Sequence, residues 1–283
     1  MKKSIRAYAK INLSLDVTGK RDDRYHTLSS VMQSVSLCDD ITIETADENI
    51  IVCGDDIPSK DNLALKAAQL FLDKADLSQR VKITLKKQIP LAAGLGGGSA
   101  DAAAVLVLLN HMFHEPFSND ELLELALKLG ADVPFCINGG TALANGIGEQ
   151  LTELKAMPDC TILIVKKGIK SSTGDMYRRL DSTTRAKTSR FEVINDGLKC
   201  GDLDLVCSGL YNCFEEVCGG EVAEIKDRLI KNGAIYAGLS GAGPSVFGIF
   251  KSGSAAEKAK AGFESFGALC FICRPVLKAN EIF

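Results

Sequence analysis

Residues 90–101 read PLAAGLGGGSAD, between an alternating segment, VKITLKK at 81–87, and an Ala- and Leu-rich stretch predicted to be helical from about 99 to 110. Gly94, Gly96, Gly97 and Gly98 open backbone angles and close approaches that side chains forbid. Successive amide N–H groups can then face one concavity, and the N-terminus of the following helix adds partial positive charge. Such a loop can hold an anion without a lysine, and Ser99 adds a hydroxyl able to bond a phosphate or a metal ion. Two familiar nucleotide loops are excluded by spacing. The pattern G-x-G-x-x-G fails because its sixth position, counted from Gly94, is Ser99, and the Walker A pattern fails because no Lys follows the glycines.

The rest of the composition points the same way. At 283 residues the chain is long enough for about two domains. With 46% hydrophobic and 24% charged residues it is neither collagen-like, coiled-coil nor disordered. Lys plus Arg number 33 against 36 Asp plus Glu, a net charge of -3. No field of one sign exists to collect nucleic acid or an anionic membrane, so neither is an expected partner, and any phosphate must be gripped locally. MKKSIRAYAKINL at the start lacks the apolar stretch of a signal peptide. The longest purely apolar run, AAAVLVLL at 102–109, is far short of the ~20 residues of a membrane span, so a cytoplasmic protein is expected. Among 10 cysteines only Cys270 and Cys273 form a C-x-x-C pair, in the strand-like run LCFICRPV and away from His26, His111 and His114; reduced thiols are expected rather than a metal or redox site.

Working outward, IRAYAKINLSLDV at 5–17 alternates as a strand, with Ile11, Leu13, Leu15 and Val17 on one face and Lys10, Asn12, Ser14 and Asp16 on the other. Helical spacing occurs at 62–74, and Ser118 with Glu121 forms a capping-box pattern opening a helix that Gly130 would end in a left-handed turn. A helix near 221–231, a strand at 245–250, a helix at 255–264 and a strand at 269–276 follow, with a polar loop or helix edge at 181–192. The elements do not keep a βαβ rhythm, so the fold class is α+β, with a boundary near Met157-Pro158-Asp159 dividing 1–156 from 157–283.

Other residues gather around this frame. Lys10 and Asn12 lie on either a solvated or a functional sheet face. Tyr25 and His26 can stack on a planar ring or pack at the surface. Asp132, in GADVPF, is fixed between Gly130 and Pro134, as suits either a positioned carboxylate or a loop Asp. A second small-residue loop, Ser240, Gly241, Ala242 and Gly243, precedes the strand PSVFGIF and can close over a ligand, pack on the first loop or simply turn the chain.

Taken together, the N-terminal strand with Lys10, the loop PLAAGLGGGSADAA and GLSGAGPSVF resemble the GHMP kinase superfamily in order and spacing. AKINLSLDVTGKRDDRYHTLSSVMQSVSLCD and LGADVPFCINGGTALANGIGE further resemble the branch that phosphorylates 4-diphosphocytidyl-2-C-methyl-D-erythritol in non-mevalonate isoprenoid biosynthesis. The resemblance implies a two-domain α+β fold with the active site in the interdomain cleft. It further implies ATP as phosphate donor, Mg²⁺ as its companion, and transfer to the C2 hydroxyl of that small-molecule substrate, giving the 2-phosphate and ADP. Carried over by position, Lys10 and Asp132 are the catalytic pair. Pro90, Leu91, Ala92, Ala93, Gly94, Leu95, Gly96, Gly97, Gly98, Ser99 and Ala100 hold ATP, and Asp61-Asn62-Leu63 lines the adenine pocket. Asn12 faces the methylerythritol hydroxyls, while Tyr25, His26 and Tyr177 meet the cytosine. Ser240, Gly241 and Gly243 support the phosphate loop, and Ser99 is the candidate metal ligand. Arg24 stands where the branch usually has Gly. The remaining expectations are a monomer or homodimer and, as rivals, a homoserine or mevalonate kinase or a nucleotide-binding regulator without turnover.

Overall fold

The computed structural model describes residues 1–23, 25–53, 61–168, 172–183 and 190–283. In chain order the elements are β1 (Lys2–Lys20), β2 (His26–Ala46), β3 (Ile50–Cys53), α1 (Leu63–Lys74), β4 (Arg80–Lys86), α2 (Gly97–Met112), α3 (Asn119–Leu129), α4 (Val133–Asn138), β5 (Thr141–Asn145), β6 (Gln150–Glu153) and β7 (Thr161–Lys166). They continue with α5 (Thr173–Asp181), α6 (Phe191–Cys200), α7 (Leu203–Gly209), β8 (Tyr211–Asn212), α8 (Gly220–Lys231), β9 (Tyr236–Leu239), β10 (Ser245–Phe250), α9 (Gly253–Glu264), β11 (Leu269–Cys273) and β12 (Asn280–Ile282).

Two sheets organise the described residues. The first runs β12-β1-β2-β4-β3, with β5 and β6 beyond β2 and β8 beside β1; the second runs β11-β7-β10-β9. β8 and β12 come from the C-terminal part of the chain yet join the first sheet, so the polypeptide returns to it twice.

β1 and β2 pair antiparallel along almost their whole length, with register shifts between Tyr8 and Ala9, Asn12 and Ser14, and Val17 and Gly19. Ile5 and Ala7 belong to the core beneath the helices, whereas Ala9, Ile11 and Leu13 belong to the core against the second sheet. The change falls at the first register shift, as irregular pairing re-aims side chains. Lys10 and Asn12 are thereby turned towards the glycine loop and buried, 4% and 1% exposed, and the solvated alternative for this face does not hold.

α2 lies at the centre of the helical layer, against β1, β2, α1, α3 and α4. It is apolar nearly all round, as a helix covered on every side must be. Its alanines Ala100, Ala102, Ala103 and Ala104 have no bulk to keep neighbours away. Phe71 of α1 fills the space beside it, edge-on to Phe117 at 5.1 Å and near Phe113 at 6.4 Å; Phe71→Ala would cost about 3–5 kcal/mol.

Ser118 and Glu121 complete the capping box that opens α3. Gly130 ends α3 but not in a left-handed turn: its φ of 160° and ψ of 157° are extended, and the chain leaves straight towards Asp132. β11 ends at Cys273 rather than 276, because Pro275 has no N–H to continue a ladder. Cys270 and Cys273, three apart on a strand, face opposite sides, and none of the ten cysteines is in a disulfide.

Candidate active site

A cavity of about 510 Å³ opens at the N-terminus of α2, beside β1 and β2 of the first sheet. Lys10 projects into it from β1. Its Nζ lies 3.2 Å from Asp132 Oδ2 and donates to Asn12 Oδ1 at 2.8 Å, while Asn12 Nδ2 donates to Ser30 Oγ at 2.8 Å. An ammonium this buried needs such partners, because an unpaired charge there would be heavily penalised. Asp132 is half-exposed and immediately precedes α4, with Pro134 in that helix's first turn. The far end of α4 is held by Asn280 Nδ2, which donates to the carbonyls of Cys136 at 2.9 Å and Ile137 at 3.1 Å. The pair therefore rests on a strand of the first sheet and a helix braced by the returning C-terminus.

The glycine loop folds over this pair. Lys10 N donates to Leu95 O at 3.0 Å, tying loop to strand. Gly94 and Gly96 have φ of +78° and +69°. A Cβ on Gly94 would come within 2.4 Å of Ser240 O, and one on Gly96 within 2.9 Å of Lys10 Cγ. Residues 90–99, Lys10, Asn12, Asp132, Tyr177 and Gly241 all line the cavity. Ala100 does not; it is buried inside α2. Nor does Asn62, whose buried Oδ1 accepts from Ala64 N at 2.9 Å and caps α1, leaving its neighbour Leu63 at the wall.

The second small-residue loop packs on the first: Ser240 Oγ donates to Gly94 O at 3.0 Å and Ser245 N to Ala93 O at 3.3 Å. Ser240 and Gly243 stand behind the cavity wall rather than in it. Asn212, which the sequence reading did not single out, locks this loop by donating to Leu239 O at 2.8 Å and Gly241 O at 2.9 Å. Its neighbours give no motif by which to find it.

A second cavity of about 530 Å³ adjoins the first through Ala131, Ile147 and Tyr177, and is also lined by Tyr25, His26, Lys20 and Asp181. His26 stacks on Tyr177 at 4.4 Å and 13°, and Tyr177 meets Phe214 edge-on at 5.1 Å. Asp181 accepts from Lys20 Nζ at 2.6 Å and lies 2.7 Å from His26 Nε2. Burial, helped by Cys213 and Asp132, pushes the Tyr177 phenol up to about 12, so it stays a neutral donor. Tyr25 is 64% exposed at the rim. Arg24 lies outside the described residues.

Lys87 and Asp39 were also missed, as was their link to Asp101. Lys87 Nζ donates to Asp39 Oδ2 at 2.5 Å and Asp101 Oδ2 at 2.7 Å. Burial alone would lower the Lys87 pKa, but the two carboxylates outweigh it and hold it raised. Burial pushes Asp101 up to about 7, against the pull of Lys87 and with the push of Asp39. Lys86 and Lys87 look alike in the sequence, so only the fold distinguishes the buried one.

With a glycine loop at a helix N-terminus, a buried lysine paired to a half-exposed aspartate beneath it and an adjoining aromatic pocket, the molecule has the make-up of a small-molecule kinase of the GHMP type. Residues 62–140 match the GHMP kinase N-terminal domain and residues 194–269 the GHMP kinase C-terminal domain. The chain belongs to the GHMP kinases and, within them, to the 4-diphosphocytidyl-2-C-methyl-D-erythritol kinase family. It is 44% identical to the 4-diphosphocytidyl-2-C-methyl-D-erythritol kinase of Clostridioides difficile over 88% of this chain and 86% of that protein. With the kinase of that name from Thermoanaerobacter pseudethanolicus it shares 39% over the full length of both. A crystal structure of 4-(cytidine 5'-diphospho)-2C-methyl-D-erythritol kinase superposes with a TM-score of 0.84 at 30% identity, covering 97% of this chain and 99% of that one. A homoserine kinase from Cytophaga hutchinsonii shares the fold, with a TM-score of 0.81 at 19% identity.

Proposed function

We propose that the protein transfers the γ-phosphoryl group of ATP to the C2 hydroxyl of 4-diphosphocytidyl-2-C-methyl-D-erythritol, releasing ADP and the 2-phosphate in non-mevalonate isoprenoid precursor synthesis. The observation that carries this reading is the Lys10–Asp132 pair, 3.2 Å apart, between the glycine loop and the His26–Tyr177 pocket. The ATP phosphates lie on the amides of residues 94–99 at the α2 N-terminus. The cytosine sits in the aromatic pocket and the methylerythritol crosses between, within reach of Asn12.

The acceptor is a tertiary alcohol, crowded and weakly acidic, so alignment supplies much of the rate. Asp132 orients the hydroxyl and takes its proton as the oxygen bonds to the γ-phosphorus and the bond to the ADP oxygen breaks. Lys10 holds Asp132 and offsets the charge developing on the phosphoryl oxygens. Among the described residues no three Asp, Glu, His or Cys side chains converge on a metal position. A hard cation that keeps several waters suits what the loop does offer, the Ser99 hydroxyl beside nucleotide oxygens. Mg²⁺ bound there would neutralise phosphate charge.

The division at 156/157 would place the glycine loop and catalytic pair in one domain and the second loop and Tyr177 in the other, with the cleft between them. The test is ADP release on adding 4-diphosphocytidyl-2-C-methyl-D-erythritol, compared with homoserine and mevalonate. Turnover with the first alone is expected; turnover only with the others, or tight ATP binding with no turnover at all, overturns the assignment.

A further inference from the structure

The glycine loop brings no lysine of its own, yet an ammonium lies beside it. Lys87, three residues ahead of Pro90, lines the main cavity. A Cβ built on Gly97 would lie 3.4 Å from Lys87 Nζ, so the ammonium stands at the first turn of α2, among amides that have no partner within the helix. Two buried carboxylates hold it. Asp39, on β2, takes Lys87 Nζ on one oxygen and the amides of Gln88 at 2.5 Å and Ile89 at 2.8 Å on the other. Asp101, one turn into α2, takes Lys87 Nζ on Oδ2, and its carboxylate is buried. Lys87 is thus the cationic partner that holds that carboxylate.

The three side chains join β2, the chain just before the loop and the helix just after it. We propose that Lys87 is a positioning residue for the nucleotide: by bridging Asp39 and Asp101 it closes the base of the 90–96 loop and presets the amides that receive the ATP phosphates. This rests on the reading of that loop as the phosphate site. An exposed pair could not do this, because solvent and side-chain entropy would leave the loop ends free; burial with short contacts on both sides removes that freedom.

Two substitutions of equal charge separate positioning from mere stability. Asp101→Asn keeps an oxygen for Lys87; Asp101→Leu does not. Both leave Lys87 balanced by Asp39, and an apolar replacement of a buried charge is often neutral or stabilising. Affinity for a non-hydrolysable ATP analogue, measured by titration calorimetry without acceptor, should stay within about threefold for Asp101→Asn and fall about tenfold or more for Asp101→Leu. The double variant Lys87→Met/Asp101→Asn should match Asp101→Leu, with thermal unfolding recorded for all three. KM for the acceptor should stay within about twofold while KM for ATP rises. Equal analogue affinity in Asp101→Leu and Asp101→Asn, or affinity that only follows the unfolding temperature, overturns the proposal. A wild-type protein that binds the analogue but does not phosphorylate the acceptor refutes the proposed function instead, and the binding series still decides the role of Lys87.

Discussion

Gly96→Ala is the sharpest probe of how the loop serves the Lys10–Asp132 pair. Gly96 sits at φ +69°, where an L-residue costs about 1–2 kcal/mol. Its new Cβ would lie 2.9 Å from Lys10 Cγ and 3.2 Å from Cε. Carbon atoms rest at about 3.5–4.0 Å, so loop or lysine must give by about 0.6–1 Å. Lys10 has little room to do so, being buried and bonded to Asn12 and Asp132. A shift of that size would carry the 3.2 Å ion pair to the edge of contact, and misplacement by about 1 Å costs on the order of 10²-fold in rate. The expected result is a drop of a few degrees in unfolding temperature, at about 2–4 °C per kcal/mol, with kcat down about 10²-fold in a coupled assay of ADP release. Gly98→Ala is the matched control: its φ is not positive and its Cβ would meet only Leu63 Cδ1 at 3.6 Å, so unfolding should be unchanged. If Gly96→Ala lost stability yet kept kcat within about threefold, the claim that this glycine makes room for Lys10 would be wrong.

Other outcomes follow from the same geometry. Asp132→Asn and Lys10→Ala should each lower turnover by roughly 10²–10⁴-fold in steady-state kinetics while ATP-analogue binding persists; near-normal turnover in either removes that residue from the mechanism. Tyr177→Ala removes the face on which His26 stacks and the edge contact to Phe214, and should raise KM for the cytidylyl acceptor more than KM for ATP. Asp101 has a pKa raised from 3.8 to about 7, so the folded state holds its proton more tightly than the unfolded chain. The stabilisation from the bound proton is therefore present at low pH and lost as the pH rises through about 7. Denaturant titrations should show wild type losing stability relative to Asp101→Asn from about pH 4 up to about pH 7, with little further change above; a constant difference would contradict the shift.

Much of the fold was legible because local rules and tertiary packing agree. The 81–87 alternation is β4, the Ala–Leu run is α2, and Ser118 with Glu121 opens α3. The candidate site was legible where one short segment carries the chemistry, as in the 90–99 loop, which lines the cavity throughout. Reading failed where a residue's surroundings come from distant chain. Gly130 ends its helix extended because the chain must reach Asp132, and Asn62 serves a helix cap rather than the cavity. Asp39 and Asp101 are 62 residues apart and are both bonded to Lys87. Asn212 reaches the second glycine loop through the two-residue strand β8.

The sequence by itself determined several elements, the glycine loop at a helix N-terminus and the kinase family, because helix and strand periods, glycine freedom and family motifs are properties of short segments. Tertiary structure alone decided which polar groups became a site. A register shift in β1 turned Lys10 and Asn12 inward, α4 carried Asp132 to 3.2 Å from that lysine, and burial between two carboxylates singled out Lys87 from Lys86. Distance and dielectric set those interactions, and both are fixed by how far-separated segments pack.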